Sequence, residues 1–587
     1  MPTSTSIKRI CLLTSFILTT LFLTNCSLVS PADPTPTGPF PTPTPIISLT
    51  QTSELDSILP AYKPIIQQTA VPFDLDAALA AERDAEIDFD EFIQGTTIII
   101  NIDANATSHE ISPLIYGVAG ASESYLRNAR IPLNKWGGDL TARYNWRLGN
   151  AWNGGFRSNY TNTNLGYVGN DAAVDFMNDS QAAESAVQVT LPTIGWAAKD
   201  NNIFNCSFAL NGVCTSGQSA SCQSPLVTAD PTITSIPTDV ANSIEFVRHL
   251  QQEVGDIDII SVAHEPELWG TVHYDVHPEC TTYDEVLSNF IDHAVQIKAL
   301  DDNIELAGPS TSGWEFYWTS AAGQDDPNSA EEFLPWFLEE MQEHDEAAGQ
   351  RHLDILDIHY TRDVTGIGEA DARLRSTNSL WSRAYKDEGE IREAIYLIPR
   401  MQELIAEHYP DTKLGIGEWT FGNEWDVNGA LAMADAIGIF GRENLYYATH
   451  AYHPAENTPG YYAFKIFTNY NNVGGKFGDQ SIPTSSTHPD YVSAYSAIDS
   501  TSGNLHVIII NKLSIFSFKE ISVNVRGFTP DNTIRQYVYD GPTFQGVEDG
   551  IAFDTVEVEL RNNGFSYTLT PYSIYHLVLR PVDLLEE

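Results

Sequence analysis

Ile259-Ile260-Ser261-Val262-Ala263-His264-Glu265 decides the fold: a short, mostly apolar run that closes on polar residues and gives way to a helix-like stretch. Working outward, the same pattern precedes it at Leu114-Ile115-Tyr116-Gly117, Leu133-Asn134-Lys135-Trp136-Gly137 and Val189-Thr190-Leu191-Pro192-Thr193-Ile194-Gly195-Trp196. It recurs at Ile304 to Gly308, Ile355 to Tyr360, Leu414 to Glu418 and Leu445 to Thr449. Between these runs lie helical stretches such as Val240 to Gln252, Tyr283 to Leu300, Glu331 to Glu343 and Glu390 to His408. Eight apolar runs alternating with helices predict an α/β chain folded as a (β/α)8 TIM barrel over residues 113–484. A doubly wound open sheet has the same alternation and stays open at this point.

After about Pro483 the pattern becomes strands alone, at Leu505 to Ile510, Ile521 to Val525, Val556 to Leu560 and Ile574 to Leu579. Alternation with intervening turn residues reads as a β-sandwich over residues 485–587. It gathers no acid, base or metal-ligand set, so structural support is its expected role. Thr96 to Asp103, a β-rich run within 96–112, is expected to join it as a strand.

The 587 residues carry 31 basic and 78 acidic side chains, a formal charge of −47, with 42% hydrophobic content. That content supports a large core, and the charge repels nucleic acid and anionic membrane surfaces. A neutral polysaccharide partner fits this field; solubility or a salty habitat explains it equally well. Lys8 and Arg9 followed by the apolar Ile10 to Leu23 read as an export signal over residues 1–25, too short to stay as a membrane span. Leu23-Thr24-Asn25-Cys26 is similar to a bacterial lipobox, so the chain is expected to be exported, either secreted or lipid-anchored through Cys26. Residues 26–95 hold a Pro/Thr-rich tether, Pro31 to Pro45, and an acidic lead-in. Cys206, Cys214, Cys222 and Cys280 remain, and export permits disulfides among them; a metal site is the competing reading, without a Cys-x-x-Cys pair to support it.

Functional groups of such a barrel sit where strands end at the C-terminal face. Run four ends in His264-Glu265-Pro266-Glu267-Leu268-Trp269, run six in His359-Tyr360, and run seven in Glu418-Trp419-Thr420-Phe421-Gly422. Retaining hydrolysis of a glycosidic bond needs two facing carboxyl groups about 5–5.5 Å apart, one to protonate the leaving oxygen and one to attack the anomeric carbon. Glu265 and Glu418 are the candidate catalytic pair, brought together if strands four and seven end on one rim. A single glutamate at a strand end is more often a salt-bridge partner; two on these runs, each near a tryptophan, favour catalysis. Trp136, Trp146, Trp269, Trp419 and Trp425 are candidate stacking platforms for pyranose faces, against core packing as the plainer role. His264, His359 and Tyr360 are candidate hydrogen-bonding partners of sugar or nucleophile. His273 and His277 have the spacing of a helical metal pair, but Pro278 and the lack of a third ligand favour a loop role.

Leu133-Asn134-Lys135-Trp136-Gly137-Gly138 through Arg143-Tyr144-Asn145-Trp146, Glu265 to Trp269, Thr271 to Pro278, and Phe464 to Gly478 together resemble glycoside hydrolase family 44, over roughly Ile100 to the C-terminus. The resemblance implies a barrel with a β-sandwich, retaining endo-β-1,4-glucanase activity, often on xyloglucan, with Glu265 as acid/base and Glu418 as nucleophile. Two residues depart from the family pattern. His264 stands where Asn is usual, which makes a sugar-contacting position titratable, and Lys135 stands where Arg is expected, which bears on how the nucleophile is held charged. Another β-glycan such as mannan or xylan, exo action, and a surface lipoprotein that only binds glycans are the alternatives. No cofactor is required by this reading; a structural Ca²⁺ is conceivable in so acidic a chain, and a monomer is expected.

Overall fold

The computed structural model describes residues 96–154, 160–166, 170–210, 213–214, 221–225, 229–362, 369–513, 519–540 and 550–582. The expected export signal, lipobox, tether and acidic lead-in lie outside the described residues.

The eight runs become parallel strands: β1 Gly117–Ala119, β2 Leu133–Trp136, β3 Ala186–Leu191, β4 Ile259–Val262, β5 Glu305–Thr311, β6 Ile355–Thr361, β7 Lys413–Thr420 and β8 Tyr447–His450. They close in chain order, β8 pairing in parallel with β1, which makes the sheet a barrel and removes the open-sheet alternative. Short strands suffice because each is covered inside by facing side chains and outside by helices. Leu133, Ile259, Ala307, Ile355 and Tyr447 form one cluster, mostly the first residues of their strands, and floor the N-terminal end of the barrel. The level above is polar: Gln188 donates to Ser261 at 2.9 Å and accepts from Thr449 at 2.9 Å, and Ser310 donates to Asp357 at 2.6 Å.

Several loops that deliver the chain into its outer helices end on an Asp or Thr cap. Asp171, Asp239, Thr282, Asp426 and Thr458 each accept a backbone N–H of the first turn of Ala172–Ala182, Val240–Glu253, Tyr283–Leu300, Val427–Arg442 and Pro459–Thr468. Some boundaries differ from the sequence reading. Leu114 to Tyr116 belongs to a 3-10 turn, Pro113–Tyr116, because Ser112 caps it and proline suits its first turn, so β1 starts only at Gly117. The helix expected from Glu390 starts at Leu397, since Arg392 and Tyr396 are left-handed at φ 57° and 51°. That expected from Glu331 is Phe333–Ala348, ended by a left-handed Gly349.

Ile98–Asp103 sits between Thr484–Ser486 and Lys519–Arg526, which with Gly564–Leu569 form a four-stranded sheet. A seven-stranded sheet, running from His109–Glu110 to Ala552–Glu557, faces it across a core of Ile100, Val507, Val523, Ile534 and Leu577 among others. The β-sandwich is thus built from both ends of the described residues. Val427–Arg442 is buried along almost its whole length because it lies between barrel and sandwich. Its Asp435 pairs with Lys512 at 2.7 Å and accepts from Tyr495 and Thr377.

Cys222 and Cys280 are disulfide-bonded, and Cys206 is disulfide-bonded too, so these three are not free thiolate ligands for a metal. The side chain of Cys214 lies outside the described residues.

Candidate active site

Lys135, the third residue of β2, points into the barrel, where its ammonium reaches Glu418 Oε1 at 3.0 Å and the Gly417 carbonyl at 3.1 Å. β2 then ends in Gly137 and Gly138, at φ 104° and 148°. A Cβ on Gly137 would lie 2.6 Å from Thr190, so only glycine turns the chain here. That turn presents Asp139 at the rim. From β4, the chain reaches Glu265 through two left-handed non-glycine residues, Ala263 at φ 81° and Glu265 itself at φ 42°, with Ser310 of β5 beside them at φ 58°. The Glu265 N–H donates to the Ser310 carbonyl at 3.0 Å. Strained backbone concentrated on one rim is what a fold tolerates where side-chain aim matters more than local comfort. Register shifts in the β6–β7 and β7–β8 ladders fall at His359 and Glu418 and redirect both.

These elements bring together four groups spread over the sequence from His264 to Glu418. Donor atoms of His264, Glu265, His359 and Glu418 all lie within 4.8 Å of one another, so the two glutamates face each other across the barrel mouth. His359 Nδ1 is 2.8 Å from Glu265 Oε1. His264 Nε2 lies 3.4 Å from Asp139 Oδ1 and 3.8 Å from Glu265 Oε2, and its Nδ1 lies 3.9 Å from Glu418 Oε1. Burial pushes the Glu418 carboxyl up, but Lys135 and the two histidines outweigh it and hold the group down at about 2. For Glu265 burial likewise raises, and His264 and His359 win, leaving it below the usual carboxylate value. Asp139 goes the other way: burial raises it, Glu265 and Glu418 add to that, and His264 only partly opposes. His359 is raised, its burial overcome by the hydrogen bond to Glu265 and by Glu418.

The other expected contacts divide by strand parity. Successive strand residues point to opposite faces, so a neighbour of an inward group points outward. Lys135 and Glu418 point in; Trp136 and Trp419 therefore point out, 7% and 0% exposed, Trp136 against Tyr144 and Phe246 and Trp419 against Phe440 and Phe464. His359 points in, so Tyr360 packs outward and donates to Ser379 at 2.7 Å. These three are corrections: Trp136 and Trp419 are core residues, not sugar platforms, and Tyr360 is a core residue bonded to Ser379, not a partner of nucleophile or sugar. Trp269 is also buried, and its indole N–H donates to the His264 carbonyl at 3.2 Å, propping that backbone. Trp146 lies on the flank, donating to the Asn242 carbonyl at 3.2 Å under the Arg147 guanidinium, and is likewise removed from the platform set. Trp425 alone of the five projects into solvent, 69% exposed just beyond β7. His273 is buried, and His277 is committed to Glu285 at 2.8 Å and the Glu279 carbonyl, so the pair forms no metal site.

Sequence reasoning missed Asp139, three positions past the end of β2, where the double glycine marked a turn into the rim. It also missed Tyr452, 44% exposed just beyond β8, and Glu267, which burial and the neighbouring Glu265 push up to about 7 while its carboxylate accepts the Ser312 N–H. Glu424 is the reverse case: burial raises it, but His450, Thr420 and Tyr452 hold it down at about 2.

Among the described residues a second donor trio, His344, Asp345 and His352, has the same 4.8 Å spread. Asp345 there already accepts His352 Nδ1 at 2.6 Å, the His352 N–H at 2.8 Å and the Tyr409 hydroxyl, which ties a loop and leaves little carboxylate for an ion. In the first quartet the Lys135 ammonium already supplies the cation that Glu418 needs. A groove of about 1100 Å³ lined by Lys413, Leu414 and Tyr446 opens at the N-terminal ends of β7 and β8, at the opposite end of those strands from Glu418.

A closed parallel barrel with two glutamates facing each other at its C-terminal rim, joined to a β-sandwich, is the arrangement of a barrel-type glycoside hydrolase. The profile of Glycoside hydrolase family 44 matches residues 151–364. The chain is 27% identical over 535 residues to the Beta-mannanase/endoglucanase A of Caldicellulosiruptor saccharolyticus, covering 81% of this chain and 39% of that protein. Among solved structures, CelM2, a bifunctional glucanase-xylanase from a metagenome library, superposes with TM-score 0.76 at 30% identity, over 83% of this chain and 99% of that one. A Paenibacillus polymyxa xyloglucanase from the same family, solved with xyloglucan, shares the fold with TM-score 0.70 at 23% identity, over 83% and 100%. The chain spans less than half the length of the curated relatives it matches. This chain belongs to glycoside hydrolase family 44.

Proposed function

We propose that the chain is an endo-acting β-1,4-glucanase that hydrolyses its substrate with retention, by double displacement through a glycosyl ester on Glu418. The observation that carries this reading is the facing pair, Glu265 and Glu418, with donor atoms within 4.8 Å, near the separation at which one carboxylate attacks while the other protonates. Lys135 supports the assignment of roles, because the ammonium at 3.0 Å keeps Glu418 ionised and so nucleophilic. Glu265 then delivers a proton to the glycosidic oxygen and, once the sugar is on Glu418, takes one from the attacking water. Both reacting groups are side chains of the chain itself, so this chemistry calls for no cofactor. Trp425 after β7 and Tyr452 after β8 offer exposed aromatic surface at the rim for a pyranose chain.

Glucan is the leading substrate and a broader β-glycan range, taking in xyloglucan, xylan or mannan, is the second reading; the activities for which the relatives above are named favour it. The test compares wild type with Glu265→Gln and Glu418→Gln on soluble β-glucan, xyloglucan, xylan and mannan, following viscosity, reducing ends and anomeric configuration. A rapid viscosity drop, retained configuration and loss of turnover in both variants are expected. Near-normal turnover by Glu418→Gln, or an inverted product, refutes the mechanism; mainly monosaccharide release refutes endo action.

A further inference from the structure

Resting on that reading of Glu265 and Glu418, we propose that His264 and Glu265 hold the catalytic proton between them, with Asp139 setting its division, so that His264 acts through Glu265 as a positioning residue for the proton. The geometry is particular. One imidazole, with only 4% of its side chain exposed, lies within 4 Å of three carboxylates: Asp139 and Glu265 on its Nε2 side and Glu418 on its Nδ1 side. The Nδ1 atom is buried and has no hydrogen-bond partner. The other titratable groups around it are Lys135 from β2, His359 from β6, whose ring centre is 5.0 Å away, and His273 from the segment after Glu265.

The pair carries one proton in either of two arrangements, imidazolium with carboxylate or imidazole with carboxylic acid. The charged arrangement places its cation within 4 Å of Asp139 and Glu418. A glycan bound over the site excludes water, separated charges become costlier in the lower dielectric, and the neutral arrangement gains. The step is a proton transfer: the Nε2–H bond breaks with its electron pair left on nitrogen, and an O–H bond forms on Glu265 Oε2. His264 is left with its proton on Nδ1, facing the nucleophile. The 3.8 Å gap closes to hydrogen-bond length by a movement of about 1 Å or through one water. Glu265 then protonates the leaving oxygen. When Glu418 becomes an ester, one of the three carboxylates loses its charge, the cluster binds the proton less tightly, and Glu265 is free to serve as base.

An imidazole and a carboxylate that share one proton release it as a pair, in the imidazole range rather than the carboxylic range. The basic limb of kcat/KM therefore belongs to the pair. The experiment measures that limb on soluble β-glucan for wild type, His264→Asn, His264→Gln and Asp139→Asn, with thermal melts to confirm folding. The wild-type limb is expected at or above about pH 6.5. Both His264 variants should move it down by about 1–2 units, and Asp139→Asn should move it the same way by less. A wild-type limb at pH 5 or below overturns the proposal without any variant; so does an unmoved limb in a folded His264 variant. Glu265→Gln on 2,4-dinitrophenyl β-cellobioside, whose leaving group needs no proton, separates the two levels. If that variant still turns over β-glucan, the acid assignment itself falls. If it loses β-glucan turnover but keeps a dinitrophenolate burst while the His264 limb stays put, the assignment stands and only proton sharing falls.

Discussion

Replacing Lys135 with Met probes how Glu418, the proposed nucleophile, is kept ionised. The ammonium lies 3.0 Å from Glu418 Oε1 and only 1% of its side chain is exposed, so water cannot take its place. At an effective dielectric near 20, two unit charges at that distance attract by about 5–6 kcal/mol, or about 4 pH units of proton affinity. Glu418, held at about 2 by Lys135 and the two histidines against its burial, would rise toward about 6 in the variant. The sign is fixed by the role: a nucleophile must be ionised, so activity is lost as pH falls through its pKa, and a higher pKa moves the acid limb of kcat/KM upward. The expected result is an acid limb displaced by about 2–4 units, the lower figure allowing for relaxation around the cavity. Lys135→Arg restores a cation and should recover much of the shift, though a fork in a site shaped for a point charge need not recover kcat. Stopped assays on soluble β-glucan from about pH 2 to 10 take in both the wild-type and the variant limb. A Lys135→Met acid limb within about half a unit of wild type would show that the ion pair does not set the ionisation of Glu418, and the reasoning fails.

Asp435→Ala strands the buried Lys512 ammonium between barrel and sandwich and should cost about 3–5 kcal/mol in denaturant unfolding; Asp435→Leu combined with Lys512→Met should recover most of it. His506 and His576, 2.9 Å apart under Tyr470 and Phe477, should make that same interface acid-labile. Burial lowers His506 to about 4, against weak opposition from Asp499 and Asp479, so its contribution of up to about 3 kcal/mol is full above pH 6.5 and is lost as pH falls toward 4. His506→Phe should flatten stability against pH across that window, and an unchanged slope would count against the assignment. Trp425→Ala should raise KM for polymeric substrate about 5-fold with kcat and melting temperature little changed, since the ring is exposed and supports no core.

The fold was legible because eight apolar runs each had to bury both faces, and an α/β chain with that many buried strands closes on itself or opens into a doubly wound sheet; the pairing of β8 with β1 decides between them. The site was legible in its carboxylates and histidines for a related reason, since polar residues that close a buried run have nowhere to go but the rim. The aromatics were not legible by the same rule. Trp136, Tyr360 and Trp419 lie near the strand ends, but each is adjacent in sequence to an inward-pointing Lys135, His359 or Glu418, and the two-residue period sends it to the helix side. Proximity in sequence to an inward-pointing group within a regular strand is thus evidence against sharing its face. The period supplies the criterion inside a regular strand, where residues two positions apart share a face; past the strand end it lapses, and the neighbours His264 and Glu265 both enter the site.

Asp139 shows the complementary limit. It is four positions from Lys135, beyond the strand, where alternation no longer predicts direction; Gly137 and Gly138 fold the chain back so that Asp139 reaches His264 at 3.4 Å. A carboxylate there is consequential because it faces His264, a titratable ring within 4 Å of both glutamates. Were the turn to carry side chains, the positive φ values would be lost first, and with them the approach of Asp139. A Gly138→Ala variant should therefore lower kcat/KM more than it lowers stability. An added methyl would meet Glu418 only at 3.8 Å, an ordinary contact, so the defect would come from the backbone at φ 148° and not from filling the cleft. Turnover on β-glucan set beside the thermal melt checks this, and an active variant with a wild-type pH profile would show that the turn is not what places Asp139.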